Sequence, residues 1–430
     1  MIVTQTMSKK PLLACIIGNI IEWYEFIVFG YFASILGQVF FEPSSPLMSM
    51  FKVFGIFALG VFVRPLGGLF LGHIGDKFGR KNALVVSLLL MSVPTFLIGC
   101  LPTYQSIGIF ASIALFLVRI LQGLAMGGEY AGAMVYLVEK SQPSKRGWYG
   151  SIAALSLVTG MALGAFVSGL LQALLTQDQI YSWGWRIPFF LSFMGLLWGF
   201  YLRTTLDETI FFNSLQEDKA VSKFPLKDLF LNFREQLALT VFSQYFLAVG
   251  MYTMTVFYAN YALNTFKNLN TLSQFLINTP GVIFIGLSAL LSGRLSDVYG
   301  PKKTLLFASL IAIAVNYFTI PLVNTGTLNT FLGAHLLMSI ATGIFLGPIP
   351  AFLAKSFPVN TRYTSVALSN NLSMGIFGGT APMVITYLMT VFPDQPVANY
   401  YLMIGAVISL ISLLCIKDVN LFTQQGKSHG

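Results

Sequence analysis

Five charged side chains stand inside otherwise apolar runs: Glu22, Glu25, Arg64, Arg119 and Glu129. A charge at bilayer depth costs about 2.5–3.5 kcal/mol on insertion scales, so such groups face a cavity or a partner. Arginine keeps its proton, whereas a carboxylate in a dry cavity can take one up and release it. A Glu–Arg set in this setting therefore suits proton-linked chemistry, with the arginine holding fixed charge. The plainer reading is a static ion pair between two helices. Glu22 and Glu25 lie three residues apart, about 60° on a helix, and the spacing does not choose between them. Arg119, Gln122, Gly123 and Met126 share one helix face. Glu129, within GGEYAG, reads as a gate or proton-exit group. Arg64, just before Pro65, could hold a ligand carboxylate or snorkel to the surface and pair there.

Candidate ligand contacts are Asn19, Tyr24, Arg64 and Gln122 in the first half of the chain. Tyr245, Tyr252, Asn370 and Asn371 form the opposite wall. The rings of Trp23, Tyr24 and Phe26 would suit a quaternary ammonium, although they fit simple packing equally well. His335 could titrate near neutral pH or serve as a hydrogen-bonded packing residue.

These residues need elements that cross a membrane. The chain is 55% hydrophobic and 10% charged, against about 25% charged in a soluble domain. Twelve spans are predicted, at about 12–40, 51–71, 83–101, 107–138, 148–175, 187–203, 236–264, 272–293, 303–323, 330–355, 364–391 and 397–416, each near the length a crossing needs. Of the 25 Lys and Arg residues, 20 fall at the chain ends and in every second interruption. Basic loops stay in the cytoplasm during insertion, which predicts a multi-pass inner-membrane protein with both termini cytoplasmic. The net charge of +9 then reflects loops beside anionic lipid, and no nucleic-acid partner is expected. The three cysteines lie in apolar runs without metal-ligand spacing, and neither a nucleophile–base pair nor a metal cluster appears. Enzyme and structural-protein readings are therefore poor, and no cofactor or metal is expected.

The polar stretch 204–235 divides the chain into halves at 1–203 and 236–417, with a short tail at 418–430. GHIGDKFGRK at 72–81 repeats as GRLSDVYGPK at 293–302, and Pro143/Arg146 repeats as Pro358/Arg362. Two repeated six-helix halves suit rocking, alternating access. Within the repeat, Gly72 and Gly79 permit a sharp turn, and Asp76 can cap a neighbouring helix N-terminus. Arg80, Asp297, Lys355 and Arg362 complete the expected cytoplasmic gate.

Five segments carry a resemblance: GNIIEWYEFIVFG (18–30), RPLGGLFLGHIGDKFGRK (64–81), RILQGLAMGGEYAGAMVYLVE (119–139), WGWRIPFFLS with LDETIFF (183–192, 206–212) and GIFGGTAP (375–382). In order and spacing they resemble the major facilitator superfamily, and within it the metabolite:proton symporters, over nearly the whole chain. The resemblance implies an all-α fold of twelve transmembrane helices in two six-helix halves. It implies a monomeric symporter driven by the proton gradient, importing a small carboxylate-bearing metabolite, either an organic acid or a zwitterion such as proline or betaine. The proton-coupling set would be Glu22, Glu25, Arg119 and Glu129, since R-x-x-Q-G is similar to the superfamily's helix-4 motif, and Glu25 is slightly favoured over Glu22 because the family usually has Asp at that place. A drug or metabolite:proton antiporter is the rival, although the fifth span, SLVTGMALGAFVSG, lacks the antiporter proline. Two departures concern the gate: Lys355 stands where many members carry an acid, and Gly-Pro-Lys-Lys at 300–303 replaces the usual Gly-Arg. With only residues 418–430 after the last span, a long coiled-coil tail of the osmosensing kind is not expected.

Overall fold

The structure, a computed structural model, describes residues 9–42, 46–266, 271–324 and 327–417; the tail 418–430 lies outside them. Glycines at positive φ mark the tightest turns. Gly79 (φ 108°) separates α2 (Pro46–Lys77) from α3 (Arg80–Cys100), and Gly300 (φ 89°) separates α8 (Thr271–Tyr299) from α9 (Pro301–Phe318) at the matching place in the second repeat. A side chain is strained in that conformation, whereas glycine is not.

The remaining crossings are α1 (Lys9–Tyr31), α4 (Ile109–Lys140), α5 (Arg146–Leu174), α6 (Ile187–Thr204), α7 (from Arg234 to Thr265), α10 (Leu328–Leu346, continued by Ile349–Ser356), α11 (from Arg362 to Val391) and α12 (Val397–Cys415). Among the described residues, 11 helices are long and apolar enough to cross a membrane. The 32-residue α2, at 1.5 Å per residue, is about 48 Å long and completes the set of twelve. The chain is a multi-pass membrane protein. Its outer surface is apolar where lipid must lie, with Phe62, Trp198, Leu291 and Phe318 more than half exposed, while Arg, Glu and Asn side chains are buried within.

Several details depart from the predicted spans. The first span breaks at Phe32 and resumes as Ala33–Phe40. The polar stretch between the halves is not a plain loop, because it folds into two short helices, Ile210–Glu217 and Pro225–Asn232. π-Helical turns interrupt α7 at Thr253–Phe257 and α11 at Ser373–Gly378. Such turns insert a residue into the helical ladder and often mark functional sites.

Inside the first half, α2 and α4 meet through small residues. A Cβ on Gly127 would stand 2.7 Å from the Gly67 carbonyl carbon. This is the close backbone approach that small residues give membrane helices. Between the halves, α2 lies on α11 and α5 lies on α8, so each half contributes its second and fifth helix. The loops after α2, α4, α8 and α10 gather at one end of the bundle, termed here the basic face.

Candidate functional site

Two carboxylates join the halves at the basic face. Asp76, near the end of α2, accepts hydrogen bonds from the backbone N–H groups of Tyr363 (3.0 Å) and Thr364 (2.8 Å) at the start of α11. Asp297, near the end of α8, accepts from Gly147 (2.6 Å) and Trp148 (2.9 Å) at the start of α5. Each satisfies amides that have no intrahelical acceptor and sets negative charge at a positive dipole end. A Cβ on Gly72 would fall 2.6 Å from the Thr364 Cα, so glycine is what permits this contact.

Around Asp76 the joint is extended. Arg80 pairs with Asp76 (3.3 Å) and Glu139 (3.2 Å), and its guanidinium crosses to the Val359 carbonyl at 2.6 Å. Arg362, from the other half, reaches the same Glu139 at 2.8 Å. The segment between the halves also takes part. Thr209 donates its hydroxyl to Glu139 (2.7 Å), Glu208 accepts from the Lys81 amide (3.1 Å), and the Phe212 ring lies 5.2 Å from the Arg80 guanidinium carbon. Phe211 sits between Arg146 and Arg362, each 5.9 Å from its ring centre. With these groups buried, the basic face is closed. Lys355 is half-buried at the end of α10, and its charge acts on Asp297.

In the membrane interior, Arg119 donates to Gln122 (2.8 Å), Gln122 donates to Thr95 (2.5 Å), and Thr95 donates to Glu25 (2.7 Å). The Phe29 ring centre lies 3.8 Å from the Arg119 guanidinium carbon. The link from α1 to Arg119 is therefore a relay through two side chains, where the sequence suggested a direct pair. Glu129 is held by the Arg203 guanidinium and by the Ser87 hydroxyl. Gly18 makes room for this pair, since a Cβ there would strike Arg203 and lie 2.8 Å from a Glu129 oxygen. Glu22 is 1% exposed, and neither of its oxygens meets a hydrogen-bond donor among the described residues. Glu129, Arg64, Arg203 and Glu25 are the charges acting on it. Arg64 donates to Asn371 (3.3 Å), and Asn371 donates to the Gly127 carbonyl (2.6 Å), which bridges the halves at this depth.

The sequence model of the Major Facilitator Superfamily matches residues 26–370 and 267–420. The chain belongs to the major facilitator superfamily. It is 31% identical over 425 residues to a proline/betaine transporter of Salmonella typhimurium, covering 95% of this chain and 83% of that one. Identity is 32% to the glycine betaine/proline/ectoine/pipecolic acid transporter OusA of Dickeya dadantii (95% and 83% covered). It is 33% to a putative proline/betaine transporter of Staphylococcus haemolyticus (98% and 89% covered). Among solved structures, the proton:xylose symporter XylE superposes with a TM-score of 0.75 at 16% identity, covering 94% of both chains. The fucose:proton symporter FucP of E. coli gives 0.71 at 14%, covering 96% of this chain and 100% of that one. A membrane carrier is thus the class to which the interior charges belong, and enzymatic chemistry is not.

Within that superfamily architecture, the predicted residues separate into groups. Asp76, Gly72, Gly79, Arg80, Asp297 and Arg362 assemble at the basic face, while Glu22, Glu25, Arg64, Arg119, Gln122, Glu129 and Asn371 gather in the interior. Asn19 and Tyr24 serve differently from the ligand wall expected of them. Asn19 donates to Ser156 (3.0 Å) on α5, and Tyr24 donates to the Pro188 carbonyl (2.9 Å) on α6, so both fasten α1 to its neighbours. Tyr245 meets Tyr401 hydroxyl to hydroxyl at 3.2 Å and packs at a tilt of 31° against Phe377, with ring centres 4.3 Å apart. Tyr252 packs on Gly378, and Asn370 is buried with its side-chain oxygen unmatched among the described residues. His335 rests against Phe331 and the Met254 carbonyl (3.1 Å), as a packing residue would.

Sequence reasoning missed Arg203, Glu139, Thr95 and Thr209. Arg203 closes the predicted sixth span at 187–203, and the structure buries it fully on α6. Its position at the end of an apolar run resembles a topological charge, and only the fold shows Glu129 beside it. Glu139 closes the RILQG…LVE segment, and that was the available signal.

Proposed function

We propose that this carrier is a proton-coupled symporter that imports a small zwitterion of the proline/betaine class by alternating access. The observation that carries the reading is the interior arrangement: Glu25 relayed to Arg119, and Glu22 buried without a donor among the described residues. A buried carboxyl that no donor meets is the group whose charge the surroundings hold least, so Glu22 is assigned the proton and Glu25 the structural link to fixed charge. Proton loss would then follow when rocking brings water or Arg64 to Glu22.

Zwitterion selectivity follows from two surfaces. Arg64, whose guanidinium carbon lies 6.0 Å from the Trp23 ring centre, offers fixed positive charge to a carboxylate. The Tyr245, Phe377 and Tyr401 rings on the other half offer faces to an ammonium group. The named relatives of at least 31% identity support the same class. In this reading the basic face is cytoplasmic, both chain ends lie there, and the membrane is a bacterial inner membrane. The carrier works as a monomer among lipids, needs no cofactor beyond the proton gradient, and has no nucleic-acid partner.

Purified protein in liposomes provides the test. An inward proton gradient should drive saturable accumulation of labelled proline or glycine betaine, and unlabelled zwitterion inside should support counterflow. Counterflow with dicarboxylates but not zwitterions would refute the substrate class. Accumulation only under the reversed gradient would make the protein an antiporter.

A further inference from the structure

The internal repeat is broken in its charges, and the break surrounds a cavity. In the first repeat Glu139 neutralises Arg80 and Arg362. Aligned on Pro143 and Pro358, Lys140–Ser141–Gln142 matches Lys355–Ser356–Phe357, so Ala354 stands where the second repeat would have that glutamate, and the loop correspondence places Pro301 at the counterpart of Arg80. The acid has thus been lost, and the loop has gained Lys303 at the counterpart of Asn82. Lys303 and Lys355, the residue after Ala354, line one recess at the basic face, with a volume of ≈ 220 Å³. Its walls include Lys302, Lys303, Lys355, Lys417, Gln236 and Ser356, and among the described residues lining it there is no carboxylate. Asp297, the nearby acid, caps Gly147 and Trp148, and of these four lysines Lys355 alone shares its charge with it.

A second feature converges on the same recess. The 18-residue α9 begins there with Gly300 as its N-cap, which supplies no side-chain acceptor, and with Pro301 in first position. The Lys302 and Lys303 amides therefore belong to the donors that no intrahelical carbonyl satisfies, at the positive end of the dipole. Lys302 gives one ammonium hydrogen to the Ile416 carbonyl (2.6 Å), which ties the α12 end to this wall and leaves two more N–H groups. Lys302, Lys303 and Lys417, with Lys355 shared with Asp297, and a helix N-terminus around a recess of this volume match a tetrahedral oxyanion, and lysine serves as a point-charge binder of phosphate. In the first half Glu139 fills the corresponding role from within the chain.

We infer that this recess between α8, α9, α10 and α12 is a binding site for a phosphate group, supplied by an anionic phospholipid headgroup or by soluble phosphate. It supplies the negative charge that the second repeat has lost. Both sources share the chemistry, and the exposed Tyr299 at the rim places the recess beside the lipid boundary.

The test uses the full chain in detergent and in vesicles, comparing wild type with a Lys302→Gln/Lys303→Gln/Lys417→Gln variant. In lipid-free detergent, inorganic phosphate at about ten times its dissociation constant should raise the wild-type unfolding midpoint by about 1–4 °C over chloride of equal ionic strength, and the variant should not respond. In the other arm, protein is released from vesicles of phosphatidylglycerol with phosphatidylethanolamine, and adducts are read by native mass spectrometry. Retained phosphatidylglycerol on wild type and not on the variant would assign the site to lipid. A phosphate response without selective lipid retention would assign it to the soluble ion. Wild type and variant behaving alike in both arms would overturn the proposal. A circular-dichroism check that the variant is folded keeps its silence interpretable.

Discussion

Asp76 and Asp297, 221 positions apart, perform the same act in opposite directions: each leaves its own half to cap the first turn of a helix in the other. The closed basic face is therefore held by a reciprocal pair of helix caps, with the Arg80–Glu139–Arg362 network reinforcing only the first of them.

Removing one charge should loosen closure without touching the interior. Asp76→Asn weakens a cap and dipole contact worth about 1 kcal/mol, a roughly five-fold shift toward the open state. Transport rate should fall several-fold while equilibrium substrate binding stays within about two-fold. Collapsed binding with a normal rate would mean that Asp76 belongs to the ligand site.

The segment between the halves should act as part of the same joint. Thr209→Val removes a hydroxyl bond to Glu139, at about 1.5–3 kcal/mol for a hydrogen bond to a charged group. Cysteines introduced at the basic face between α2 and α11 should then label faster in the variant than in wild type. Unchanged labelling would show that the linker merely rests on the gate.

The buried Glu129–Arg203 pair should matter strongly for stability. Arg203→Gln leaves a buried carboxylate without its cation and should destabilise the protein by about 3–5 kcal/mol. Adding Glu129→Gln should recover much of that loss. Thermal unfolding in detergent provides the measurement, and additive losses in the double variant would show that the two residues act separately.

How much of this was readable beforehand follows from scale. Periodic apolar runs and alternating basic loops set the twelve spans, because lipid exposure and insertion act on whole segments. The repeat around Asp76 and Asp297 was visible because each helix end reuses the same turn chemistry. Pairings were not visible. Glu129 meets Arg203 and Glu139 meets Arg362 across gaps of 74 and 223 residues, and no local pattern encodes such contacts. Asn19 reads as part of the ligand wall for its polarity, and Tyr24 for its ring and hydroxyl. A polar side chain on a membrane helix also fastens neighbours, and only packing distinguishes those uses.

Orientation can be read directly. Cysteines in the 139–149 loop and at Glu208 should react only from the cytoplasm, and cysteines at Glu42 or Asp394 only from outside. Labelling of the linker from outside would reverse the assignment of the basic face.

Gradient-driven uptake set against substrate exchange tests the central claim, that a carboxylate on α1 carries the proton. Glu22→Gln and Glu25→Gln are compared in the same liposomes. The account predicts that Glu22→Gln loses accumulation under an inward proton gradient yet retains exchange, because exchange needs rocking but no net proton release. Glu25→Gln, which alters the relay to Arg119, should lower both. If both variants keep full pH-driven uptake with unchanged proton stoichiometry, α1 is not the proton carrier and the account is wrong.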